Sequence, residues 1–276
     1  MQKCVDNPMI KEELKIFFTS LMFYTRIPCP SYIDHSEEYL NKATRYFPLI
    51  GIIVGSISFI SFWLSNQLFN VQISVIISIA TGIFVTGAFH EDGLADTFDG
   101  FGGGWSKEKI LEIMKDSRIG TYGTISLVLL LILKTFSFSS LILLIESNLN
   151  QSSDLIIFLI FITYHSISRL TAINIVFTSN YSRDDSLSKS KPVAKSNSVT
   201  EILLAYLWGL SPLIGLIYFI PQYLSILLPL GLLFFSSSRY FQKRIDGYTG
   251  DCLGAVEQLS EVMCLLIFLV LANMFI

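Results

Sequence analysis

The amino-acid sequence predicts an all-α, polytopic integral membrane protein. The expected form is a helical bundle of about seven transmembrane helices, one domain over residues 1–276, with a polar site at its cytoplasmic face. Three observations predict this. Hydrophobic residues make up 52% of the chain and charged residues 15%, whereas soluble domains carry about 25% charged residues. Residues 46–64, 71–89 and 202–238 contain no Asp, Glu, Lys or Arg, and about 18 or more uncharged apolar residues suffice for a helix across a ~30 Å hydrocarbon core. The basic residues are also distributed unevenly between alternate loops. Continuous runs of this kind exclude a strand-built outer-membrane barrel, whose segments are short and alternating. Disorder and collagen-like repeats are excluded by the same composition.

Taken in order, residues 1–45 read as a cytoplasmic segment with an amphipathic helix. Its opening residues lack the pattern of a secretory signal, so insertion through internal helices is expected. Spans follow at about 46–66, 71–90, 119–145, 155–178, 202–220, 222–238 and 257–276, the last holding the shortest strictly apolar stretch. Segments 1–45, 91–118, 179–201 and 239–256 hold seventeen of the nineteen Lys and Arg residues, Lys3, Lys189, Lys191 and Lys195 among them; the opposite loops hold none. Cytoplasmic loops retain Lys and Arg, so the N-terminus and the large loops are expected there. Lys134 and Arg169 fall inside spans, where an isolated charge costs on the order of 3 kcal/mol. Lys134 reads as a snorkelling or paired lysine, and Arg169, on one face with His165, as a functional residue. Cys4, Cys29, Cys252 and Cys264 show no zinc-ligand spacing or disulfide framework and read as free thiols. A net charge of −3 gives no basic surface for nucleic acid.

The chemistry is expected in three Gly/Asp clusters at span ends on the charged side. The first reads Gly-Ala-Phe-His-Glu-Asp-Gly-Leu-Ala-Asp-Thr-Phe-Asp-Gly over residues 87–100. Asp92, Asp96 and Asp99 stand at i, i+4 and i+7, on one helical face along about 10 Å. Like charges this close call for a divalent cation. Oxygen ligands favour magnesium, which binds through one or two carboxylates plus substrate phosphates, so a phosphate ester or diphosphate is the expected substrate. Gly93 and Gly100 allow backbone to approach a bulky anion, and His90 is either a partner at the site or an interfacial histidine. The second cluster, residues 114–123, holds Asp116 and Arg118; Arg118 is either a phosphate-binding fork or a juxtamembrane anchor. The third, residues 246–255, holds Thr249 and Asp251, either of which also suits a helix N-cap.

Together these segments, with Arg45-Tyr46-Phe47-Pro48-Leu49-Ile50-Gly51 and Ser168-Arg169, resemble the cobalamin synthase (adenosylcobinamide-GDP ribazoletransferase) family in order and spacing, from about Phe18 to the C-terminus. The His-x-Asp-Gly-Leu-Ala-Asp and Asp-Ser-Arg-x-Gly motifs are the specific ones. Glu91 stands where many members are apolar, and Asp246 where a glycine is expected, so neither is carried over. The resemblance implies a magnesium-dependent membrane transferase of a substituted phosphate group, in the cytoplasmic (inner) membrane of a bacterium or archaeon. It would join adenosylcobinamide-GDP to α-ribazole or its 5′-phosphate, releasing GMP, with other nucleotide-loop assembly enzymes as candidate partners. Combined with the residue reading, Asp92, Asp96 and Asp99 are the expected metal ligands. Arg118 is expected at the phosphoryl group, Asp116 or Asp251 as base, and His90, Gly93, Gly100, Arg169 and Thr249 against substrate. Two other readings were weighed. A CDP-alcohol phosphotransferase needs Ala-Arg after the second Asp-Gly, where this chain has Phe101-Gly102. A cation-coupled transporter needs an internal repeat and a midplane site, although Pro212, Pro221 and Pro229 would allow broken helices.

Overall fold

The structure is a computed structural model that describes residues 8–30, 33, 36–149, 153–183 and 198–275. The expected loop charges Lys3, Lys189, Lys191 and Lys195, and the thiol of Cys4, lie outside the described residues. Among the described residues the chain is helical, with one isolated bridge between Tyr181 and Tyr248.

Helix α1, Pro8–Tyr24, buries Ile16, Leu21 and Tyr24 and leaves Met9, Ile10 and Leu14 exposed. Glu13 ties it to Arg45 (2.9 Å), which follows α2, Glu37–Ala43. A 3-10 turn, Thr44–Tyr46, leads into α3, Phe47–Ser65. Helix α4, Val71–Thr86, is capped by the Asn70 side chain, which accepts from the Ile73 amide at 3.0 Å.

The second expected span, 71–90, is corrected here. It stops at Thr86, because Gly87 (φ +69°) and Ala88 (φ +58°) both adopt the left-handed conformation. Their amides close back on Phe84 and Ile83, satisfying carbonyls at the helix end. Helix α5, Phe89–Gly103, leaves at 88° to α4. The aspartate motif therefore lies on a helix of its own. We read α4 as the span and α5 as lying across one end of the bundle.

Helix α6, Lys107–Ile113, is short; α7, Thr121–Asn148, and α8, Ser153–Thr178, are long enough to span. Helix α9, Val199–Phe219, starts with a capping box between Ser198 and Glu201 and contains Pro212. A 3-10 turn, Pro221–Ile226, precedes α10, Leu227–Ile245, so the expected span at 222–238 runs further than its apolar stretch. The last helix, α11, covers Gly250–Phe275 and begins ahead of the expected 257. Among the described residues six helical stretches are long and apolar enough to cross a membrane, and the number is seven if the bent α4–α5 pair is counted as one span.

Helix α8 is the hub. Of its most apolar stretch 89% is buried, against 28% for α9 and 17% for the turn-plus-α10 segment. Phe161 and Tyr164 of α8 share one core with Phe138 of α7 and Phe268 of α11. Gly51 and Gly55 bring α3 against its backbone: a Cβ at Gly55 would stand 2.6 Å from the Phe161 carbonyl oxygen, the close approach that small residues permit between membrane helices. Leu203, Leu207, Leu228, Leu232 and Phe235 point outward from α9 and α10. That outer surface suits lipid.

Candidate active site

The amino end of α11 crosses α5 where both helices carry glycine. A Cβ at Gly93 would lie 2.9 Å from the Asp251 carbonyl oxygen, and one at Gly254 would lie 3.0 Å from that of His90. This contact sets the Asp92–Asp96 face of α5 beside Asp251 in the first turn of α11. A cleft of about 290 Å³ opens there, lined by Asp92, Gly93, Arg183, Gly250 and Asp251 and by several aromatic residues. Asp92 is exposed and Asp96 half-buried. Burial pushes the Asp96 carboxyl up to about 7, with the charges of Asp251 and Asp92 adding to the shift. Arg183 Nη2 stands 2.6 Å from Asp251 Oδ2 and is, among the described residues, the cation ion-paired to these carboxylates.

Asp99 is on the same helix and face as Asp92 and Asp96, as expected, but its carboxylate is taken up by backbone amides. Its Oδ2 accepts from the Gly120 amide (2.6 Å) and its Oδ1 from the Gly123 amide (2.9 Å). It caps the amino end of α7, where unpaired amides favour an anion. Gly100 faces Met114: a Cβ there would lie 2.6 Å from Met114 Cγ. Asp116 and Arg118 form a two-pronged pair on an exposed loop, with Nη2 2.6 Å from Oδ2 and Nε 3.0 Å from Oδ1. Arg118 holds the Asp116 carboxyl down to about 2. Neither residue lines the cleft. Thr249 is buried and accepts from the Cys252 amide at 3.3 Å, the N-cap arrangement, while its hydroxyl also reaches Asp251 Oδ2 at 3.3 Å. His90 lines the inner end of the cleft, its Nδ1 3.8 Å from Glu257 and its Nε2 buried without a hydrogen-bond partner.

Beneath the cleft lies a second polar cluster. Arg169 is buried between Glu257 (2.8 Å) and Glu261 (3.4 Å) and donates to the His165 carbonyl at 2.8 Å. Lys134 is paired, to Glu261 at 2.6 Å and to the Gln258 side chain at 2.5 Å, so of the two readings offered for it the structure has the paired one. The His165 ring meets Glu261 at 2.6 Å, and Gln258 donates to Glu91 at 3.0 Å. This network joins α5, α7, α8 and α11. Among the described residues, His165, Glu257 and Glu261 are also the group whose ligand atoms all fall within 4.8 Å of one another; neither Asp92, Asp96 and Asp99 nor Asp92, Asp96 and Asp251 form such a group. Lys134 and Arg169 already match the two glutamates, which makes the cluster an ion-pair network rather than a metal cage.

Sequence reasoning missed Arg183 and the pair Glu257 and Glu261. Arg183 was counted as loop charge, and its partner stands 68 residues away. The glutamates carried a signal in their i, i+4 spacing on an apolar helix, which two intramembrane cations, Lys134 and Arg169, would have needed as partners.

The sequence profile of the family described as Cobalamin-5-phosphate synthase matches residues 16–269. The chain belongs to this family. Among its relatives, the Adenosylcobinamide-GDP ribazoletransferase of Shewanella frigidimarina is 41% identical over 263 residues, covering 93% of this chain and 95% of its own. That of Shewanella oneidensis is 41% identical, covering 95% and 96%, and that of Shewanella woodyi 42%, covering 95% and 98%. No solved structure matches the chain. The cobalamin-5-phosphate synthase match takes in every helix from the second half of α1 to most of α11, and so both polar clusters.

Proposed function

We propose that this protein is an adenosylcobinamide-GDP ribazoletransferase, which joins adenosylcobinamide-GDP to α-ribazole or its 5′-phosphate and releases GMP. We place its cleft at the cytoplasmic face of the inner membrane, on the side where the Lys- and Arg-bearing loops gather. The observation that carries the reading is that relatives of this name match 93–95% of the chain, with the carboxylate cleft inside the matched region.

The donor set in the cleft fits a hard divalent cation. Asp92 and Asp251 in the cleft, with Asp96 one turn along α5, offer oxygen ligands from two helices, and burial, with the charges of Asp251 and Asp92 added, raises the Asp96 carboxyl. These three are the residues we assign to magnesium, with Asp99 reserved for its capping role. Magnesium would supply charge stabilisation for the diphosphate and the departing GMP. Because GMP leaves with one phosphate, the attacked phosphorus is the one bonded on the corrinoid side. The ribazole hydroxyl forms the new P–O bond there, its proton is lost, and the bond to the GMP oxygen breaks. Arg183, at the edge of the carboxylates, orients the diphosphate by the planar fork of its guanidinium. Of the two candidate bases, Asp116 suits the task least, since a carboxyl near 2 is a weak base. Asp251 is engaged by Arg183 and assigned to the cation, and a loose transition state asks little of a base.

The test is GMP release by membranes carrying the full chain, given adenosylcobinamide-GDP and α-ribazole with Mg²⁺ or EDTA. Mg²⁺-dependent release with formation of the joined corrinoid is expected; no release from well-inserted protein overturns the reading.

A further inference from the structure

Resting on that reading, we infer that the aromatic lining of the cleft is a nucleotide seat: Phe89 and its aromatic neighbours stack a flat heterocycle, and Arg183 holds the phosphate carried by the same ligand. The carboxylates make up only part of the cleft lining. The same cleft is lined by Phe23, Tyr24, Phe47, Phe89, Tyr181 and Tyr248. Tyr24 and Phe47 are stacked, with ring centres 4.1 Å apart and planes 27° from parallel, and Phe89 meets Tyr24 edge-on at 6.3 Å.

Burial separates the walls from the face. Tyr24, Phe47 and Tyr248 are 5%, 3% and 1% exposed, whereas Phe89 is 43% exposed although it stands at the hinge, three residues from Asp92. An aromatic belt at a membrane surface would expose its members together. Phe89 is the most open ring of a lining whose other aromatic members are half-buried (Phe23, Tyr181) or buried, and an open ring in a concavity that also holds charge is the arrangement that takes a base by its face. In the same lining, Arg183 uses Nη2 on Asp251 while its Nε is buried without a hydrogen-bond partner. That N–H is a donor waiting for an acceptor oxygen. A cleft of about 290 Å³ is at the lower end of small-molecule sites, roughly 300 Å³. It suits a mononucleotide and leaves the bulk of a corrinoid outside.

Both substrates carry such a group: guanine on the donor, and the base of α-ribazole on the acceptor. Binding of GMP, guanosine, α-ribazole 5′-phosphate and α-ribazole to the full chain in detergent separates the two sources. Phe89→Ala should weaken one base family about tenfold, and Phe89→Tyr should restore it to within about threefold. Arg183→Ala should reduce the affinity of that family's nucleotide to about that of its nucleoside. Loss confined to GMP and guanosine assigns the seat to the donor, and loss confined to the ribazoles assigns it to the acceptor. If Phe89→Ala and Arg183→Ala proteins that melt like wild type change neither family by more than about twofold, the seat is overturned. Transfer by the same wild-type preparation keeps the outcomes apart: no GMP release sinks the functional reading, whereas release with unchanged binding sinks only the seat.

Discussion

The two acidic clusters use the same kinds of residue to opposite ends. Below, Glu257 and Glu261 are fully buried, and each has a permanent cation within 2.8 Å, Arg169 or Lys134. Above, Asp92, Asp96 and Asp251 share one cation, Arg183, and part of the cluster is open to solvent. Charges taken into a low-dielectric interior must be matched by the fold itself, since a buried unpaired charge costs several kcal/mol. Charges at an open cleft can stay unmatched, because water bears the cost until a ligand arrives. On this reading the matched cluster is architecture, and the less matched one is the place we propose as the site.

Breaking the lower cluster should have the largest effect. Glu261→Ala leaves Lys134 and His165 without their carboxylate and should destabilise the bundle by about 3–5 kcal/mol, read as a lowered melting temperature in detergent. Transfer should fall only in step with folded protein. A stable Glu261→Ala protein lacking activity would move the chemistry into the network.

The upper cluster should show the reverse split. Asp96→Asn should lower transfer more than about 100-fold, roughly 2.7 kcal/mol in barrier, with melting equal to or above that of wild type. Retention of a tenth or more of the rate would contradict ligation by Asp96. The comparison sharpens with pH. A carboxyl at about 7 is largely protonated at pH 6, and a proton competes with the cation for the same oxygens. The half-saturating Mg²⁺ concentration should therefore rise about tenfold for each pH unit below 7 and level off above it. A flat dependence between pH 6 and 8 would remove Asp96 from the cation site.

Asp99 gives the smallest and most discriminating contrast, as it belongs to the acidic motif by sequence and to the α7 cap by structure. Asp99→Ala should cost about 1–2 kcal/mol of stability as a lost cap, with the Mg²⁺ response of the remaining folded enzyme unchanged. A shifted Mg²⁺ response with unchanged melting would return Asp99 to the metal.

The sequence made the spans legible because uncharged apolar stretches long enough to cross a membrane have few alternatives. The hinge was not legible: Ala88 at φ +58° is a conformation that no local pattern announces, and the apolar pattern runs unbroken through it. Asp92, Asp96 and Asp99 keep their common face, because the hinge precedes all three and α5 is one helix over Phe89–Gly103. What spacing could not show is that the 88° turn lays this helix against the amino end of α7, where the Asp99 carboxylate meets the Gly120 amide. Partners far along the chain, such as Arg183 for Asp251, depend on which helix ends gather, and spacing within a motif holds no information about that.

The central claim, that the unmatched carboxylates hold the cation, is tested most directly by Mg²⁺ binding to the detergent-solubilised full chain, wild type against Asp96→Asn. The account predicts that the substitution weakens binding at least about tenfold in protein of unchanged melting temperature. Equal affinity in the two proteins would contradict it.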